Sequence, residues 1–119
     1  MEAYFFKDEK TGEVRLSERD EKKEGEILLT ANTTDAAKEK HVPVVTVDGN
    51  KVHVQVGSVL HPMTEAHHIA FIALVTDQKV VRKNLLPTGT PEADFPLADG
   101  EKVDRVYEYC NLHGLWSNK

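Results

Sequence analysis

From residue 41 onward the apolar positions fall in short runs with the alternation of half-buried strands. Val52, Val54 and Val56 alternate with Lys51, His53 and Gln55, which predicts one face on a core and one in water. The preceding run, VPVVTV (42–47), is β-branched, and Asp48-Gly49-Asn50 supplies the positive φ of a tight turn, so a hairpin is expected. IAFIALVT (69–76) is apolar on both faces and reads as a central strand; KVVRKNLLP follows, and VDRVYEYC (103–110) is a further strand. PTGTPEADFPLADGE (87–101) holds three of the five prolines and is expected as a long irregular connection. TTDAAKEK (33–40) offers one helical turn or a loop, and no longer helical period occurs. The fold class is therefore all-β, an antiparallel β-sandwich over 37–119.

Residues 1–36 read differently. AYFF, EVRL and EILL are strand candidates, but the charged stretch DEKKEGE between the last two is solvated rather than packed. This region is expected as a charged N-terminal extension to the domain at 37–119.

Composition narrows the function. At 119 residues the chain is long enough to bury roughly two thirds of its unfolded surface. Its net charge is −5 with both signs mixed and few aromatics, which argues against nucleic acid. No stretch approaches the ~18 apolar residues of a membrane span and the N-terminus is no signal peptide, so a soluble, cytoplasmic protein is expected. A single cysteine makes no intramolecular disulfide. Six histidines are the unusual feature: five lie between His41 and His68, and His113 stands three residues after Cys110.

His53 falls on the polar face of its strand and is expected to be merely exposed. His67 and His68, at the start of a strand, point to opposite sides, so only one of them joins a given site. His41, His61, His67 and the Cys110/His113 pair all fall at strand ends or loops, which at one end of a sandwich converge. Imidazoles with one thiolate suit iron, copper or zinc. On residue chemistry alone, a metal site and a set of unremarkable histidines around a buried cysteine are equal readings.

Three segments carry a likeness. EKHVPV (39–44), HPMTEAHHI (61–69) and CNLHGLW (110–116) closely resemble the signature segments of the superoxide reductases, the iron proteins also called neelaredoxins and desulfoferrodoxins, in order and spacing over roughly 33–119. The resemblance implies a seven-stranded immunoglobulin-like sandwich holding one non-haem iron, with His41, His61, His67 and His113 as equatorial ligands and Cys110 as the axial thiolate. It implies reduction of superoxide to hydrogen peroxide, re-reduction by rubredoxin or a similar small carrier, and a homodimer or tetramer. Lys40 would attract the anionic substrate and Glu39 would reach the oxidised iron to displace product. The turn after Cys110 is expected to aim backbone N–H groups at the sulfur.

The chain departs from the family in three places. His68 stands where Tyr is common, and Phe71 where Trp is common. The four cysteines that hold a second iron in two-iron members are missing, although YFFKDEKTGEVRL loosely resembles their first hairpin, with Asp8 and Thr11 near the lost cysteines. Residues 1–36 then read as a degenerate remnant of that module or an unrelated extension. The competing readings are a cupredoxin-like copper electron-transfer protein and a metal-free interaction module. The first lacks the usual methionine after its last histidine, and the second leaves the ligand spacing unexplained.

Overall fold

The structure, a computed structural model, describes residues 1–119. In chain order the elements are β1 (Tyr4–Asp8), β2 (Val14–Ser17), β3 (Glu26–Leu28), a single helical turn α1 (Lys38–His41), β4 (Pro43–Asp48), β5 (Lys51–Val56), β6 (Ile69–Thr76), β7 (Val80–Asn84), β8 (Glu92–Pro96), β9 (Val103–Cys110) and β10 (Gly114–Ser117). All strand pairs are antiparallel. Seven of these strands form two facing sheets, ordered β10-β9-β6-β7 and β4-β5-β8, and the first three make a small sheet β2-β1-β3. No helix is long and apolar enough to cross a membrane.

The valine alternation sets the register. Val52, Val54 and Val56 are fully buried, and Gly49 takes φ 59° in the turn to the paired β4. From the opposite sheet Ile69, Ile72, Leu74 and Val106 meet them in one core that ends at Cys110. A bulge at Ala70 places Ile69 inward, opposite Cys110, while Phe71 faces outward.

The outward face of β6 and β9 is apolar too, and the N-terminal sheet covers it. Phe5 stacks on Phe71 at 5.7 Å and Phe71 on Tyr109 at 5.6 Å, with the Arg82 guanidinium 4.0 Å from the Phe71 ring centre. Phe5, Val14, Tyr107 and Leu115 are buried in this second cluster. The strap that follows is tied to β10: Asn32 N–H donates to the Leu115 carbonyl (3.0 Å), and the Asn32 side chain accepts from Ser117 N–H (2.9 Å). The Thr34 hydroxyl lies where a Cβ on Gly114 would come within 3.1 Å of it.

Residues 87–101 are not an irregular connection throughout, because β8 lies within them and pairs with β5. Ala93 and Phe95 alternate into the core, and Pro96 is tolerated because β8 is the edge of its sheet. His53 is also more engaged than an exposed strand residue. It is half-buried, with Nδ1 2.7 Å from Asp94 and Nε2 3.3 Å from Glu92 across the strand pair.

Candidate metal centre

The loops and turns at one end of the sandwich bring five side chains together. One ligand atom from each of His41, His61, His67, Cys110 and His113 lies within 4.8 Å of all the others. The imidazoles form a closed ring in the order 41, 61, 67, 113, with centroids 4.6 to 5.1 Å apart and each plane turned 76° to 87° from the next. The Cys110 sulfur stands 3.5 Å from His61 Nε2 and 3.9 Å from His113 Nδ1.

Local structure aims each ring. In α1, His41 Nδ1–H donates to the Ala37 carbonyl at 2.7 Å, which leaves Nε2 bare toward the cluster. His61 does the same with the Pro62 carbonyl at 2.7 Å. His67 sits in a turn closed by the Thr64 hydroxyl and backbone, two residues before β6 starts, so its separation from His68 comes from this turn rather than from strand alternation. His68 turns away and bonds the Thr64 carbonyl through Nδ1 at 3.0 Å. His113 follows Cys110 in the turn joining β9 to β10 and presents Nδ1, the nitrogen nearer its own backbone.

Supporting residues lock this arrangement. Trp116, fully buried, stacks on His41 at 5.0 Å and donates its indole N–H to the His113 carbonyl at 3.0 Å, so one side chain fixes two rings. Asn111 accepts from His68 N–H and donates to the Ala66 carbonyl, each at 2.9 Å, which ties the cysteine turn to the His67 loop. Met63 accepts Ile69 N–H on its sulfur and packs against the core that contains Cys110.

The electrostatics favour neutral imidazoles. Burial is the largest cause in every case: it lowers the pKa of His41 and His67 and takes His61 from 6.5 to about 4. Burial pushes the Cys110 thiol up, while backbone N–H groups of Leu112 and His113 aimed at the sulfur pull it back. Metal binding displaces that proton. His41 Nε2 and His67 Nε2 are buried with no hydrogen-bond partner, so two ring nitrogens carry a desolvation cost that nothing in the protein offsets. A cation bound there would offset it. Four nitrogens and a sulfur converging at this spacing fit one first-row transition metal.

Two residues invisible as site residues in the sequence appear here. Glu108, two before Cys110 and on the same face of β9, is completely buried with both carboxylate oxygens unpaired, and burial raises its pKa well above the usual range. Gly57 packs against the backbone of Glu39 and Lys40. Lys40 and Glu39 themselves are exposed, immediately before His41.

A β-sandwich with four ringed imidazoles against one buried thiol defines a mononuclear metalloprotein of mixed histidine and cysteine ligation. Comparison with known proteins specifies the lineage. The desulfoferrodoxin family model matches residues 33–119, and the chain belongs to that family. It is 53% identical over 92 residues to a desulfoferrodoxin of Syntrophotalea carbinolica, covering 77% of this chain and 71% of that one. It is 34% identical over 108 residues to a superoxide reductase of Pyrococcus horikoshii, covering 76% of this chain and 93% of the relative. The crystal structure of the superoxide reductase from Treponema pallidum superposes with a TM-score of 0.86 at 40% identity, covering all of both chains, the N-terminal sheet included.

Proposed function

We propose that this chain is a superoxide reductase, using one iron to turn superoxide into hydrogen peroxide without releasing oxygen. The observation that carries the reading is the closed imidazole ring with the Cys110 sulfur against it, in a chain 34% and 40% identical to superoxide reductases. His41, His61 and His67 would hold the metal through Nε2, His113 through Nδ1 and Cys110 through sulfur. Bound iron supplies the electron and Lewis acidity, and the balance is one superoxide, one electron and two protons giving one hydrogen peroxide.

The chain's own residues do the rest. The hydrogen bonds on His41 and His61 Nδ1 hold both rings in the tautomer that leaves Nε2 free. The N–H groups of Leu112 and His113 draw electron density from the sulfur and temper its donation. Lys40 attracts the anion to an otherwise net-negative protein, a steering effect worth ~10-fold or more at low salt, and its ammonium holds water that delivers protons. Glu39, its neighbour, is the carboxylate that displaces product.

With one cysteine the chain carries no four-cysteine iron site, so electrons come from outside. A rubredoxin or similar small carrier docking over the imidazole ring is the donor of choice, and a homodimer or tetramer the assembly. Residues 1–36 act as an accessory module that covers the sandwich. A cupredoxin-like copper reading is disfavoured by a fourth histidine in the ring and by the lack of a methionine after His113.

Metal analysis of protein made in its native redox conditions tests the proposal. About one iron per chain, with stoichiometric peroxide and no oxygen when the reduced protein meets superoxide, is expected. Copper, no metal, or oxygen release overturns it.

A further inference from the structure

One carbonyl outside the imidazole ring organises the segment that carries Lys40. The Glu39 carbonyl accepts Val59 N–H at 2.9 Å and the Ser58 hydroxyl at 3.3 Å. Gly57 lies so close that a Cβ there would stand 2.6 Å from the same oxygen and 3.0 Å from the Lys40 carbonyl carbon. The 57–59 turn is itself braced: the Gln55 side chain donates to the Gly57 carbonyl at 2.8 Å, and His61 N–H donates to the Val56 carbonyl at 2.8 Å.

The remaining hydrogen bonds of residues 37–41 stay local. Lys40 N–H meets the Ala37 carbonyl at 3.2 Å, Val42 N–H meets the Lys38 carbonyl at 2.9 Å, and the His41 ring meets Ala37. The Lys40 ammonium and the Glu39 carboxylate bond nothing. The hydrogen bonds that reach from this segment to the rest of the protein therefore converge on the Glu39 carbonyl, and the place of Lys40 is set through its backbone.

We propose that the Gly57-Ser58-Val59 turn is a positioning element for Lys40: by gripping the Glu39 carbonyl it fixes the lysine at the mouth of the imidazole ring. This rests on the superoxide reductase reading and deepens it. The turn touches no reacting atom. It couples the loop of ligand His61 to the segment of ligand His41, and Gly57 is required because any side chain would push the Glu39 carbonyl away.

The test is a double-mutant cycle on the iron-loaded protein with Lys40→Ile, Gly57→Ala, Ser58→Ala and the two double variants. Superoxide reduction is followed across ionic strength, and hydrogen–deuterium exchange over 37–42 and 57–61. Gly57→Ala is expected to lose most of the Lys40-dependent rate, up to ~10-fold at low salt. Ser58→Ala loses roughly twofold, since Val59 still holds the carbonyl. Both speed exchange in those two segments alone, and neither slows a Lys40→Ile background further.

Equal losses with and without Lys40, or unchanged exchange, overturn this proposal alone. Lys40→Ile reacting at the wild-type rate at low salt overturns the steering role and this proposal with it. If Gly57→Ala does not fold or load iron, the Ser58→Ala cycle decides.

Discussion

Acid should loosen the metal-free protein well before its carboxylates begin to titrate, and His61 is the residue through which to measure it. Folded His61 protonates only near pH 4, against 6.5 when unfolded, because burial penalises its charged form. Between those values the unfolded chain binds a proton that the folded chain refuses, so stability falls as pH falls. At about 1.4 kcal/mol per pH unit the loss from His61 alone is about 3 kcal/mol, complete near pH 4. His41 and His67 are shifted the same way and deepen it. Carboxylates held low by their partners, such as Glu26 at about 2 beside Arg15, lose stability only below about pH 4.5, so the two windows barely overlap. Urea unfolding of metal-free protein at intervals from pH 7.5 to 4 reads the effect directly. His61→Asn keeps a donor for the Pro62 carbonyl but cannot charge, and should flatten the curve by about 3 kcal/mol. Parallel curves for the two proteins would refute the reasoning.

Three further outcomes are expected. Glu108→Met replaces an unpaired buried carboxyl by an apolar chain of similar volume. The folded pKa being raised, the carboxyl costs most well above pH 4.5, so the variant should gain ~1–3 kcal/mol at pH 8 and less at pH 4.5, by chemical denaturation. Phe5→Ala empties the contact between the N-terminal sheet and Phe71 and should cost ~3–5 kcal/mol in the same assay while iron stoichiometry holds. Cys110→Ser should abolish the sulfur-to-iron charge-transfer absorption of the oxidised protein; an unchanged spectrum would remove Cys110 from the ligand set.

Much of the sandwich was legible because its signal is local. The valine alternation and the Asp-Gly turn gave the hairpin, and the two-sided apolar run gave the central strand. β8 was hidden because proline counts against a strand unless one knows that it lies at an edge, which is a fact of topology. Glu108 was hidden for a related reason: in VYEYC a glutamate looks like the wet face, yet it shares its side of β9 with Val106 and Cys110, and the tyrosines face the N-terminal sheet. The five clustered residues stood out by motif spacing. Which nitrogen each ring presents did not, because that depends on the carbonyls of Ala37 and Pro62.

The turn at Asp8 has a consequence for how the chain lives without a second iron. Its carboxylate accepts N–H groups from Lys10 at 2.8 Å and Thr11 at 3.0 Å, and Gly12 N–H closes on the Asp8 carbonyl at 2.9 Å. Self-satisfied in this way, the hairpin keeps its shape with no cross-link of any kind. The shape of this turn owes nothing to a metal. Iron would offset the bare nitrogens of the imidazole ring, while the sheet that roofs the outward face of the sandwich is held by its own hydrogen bonds and apolar contacts.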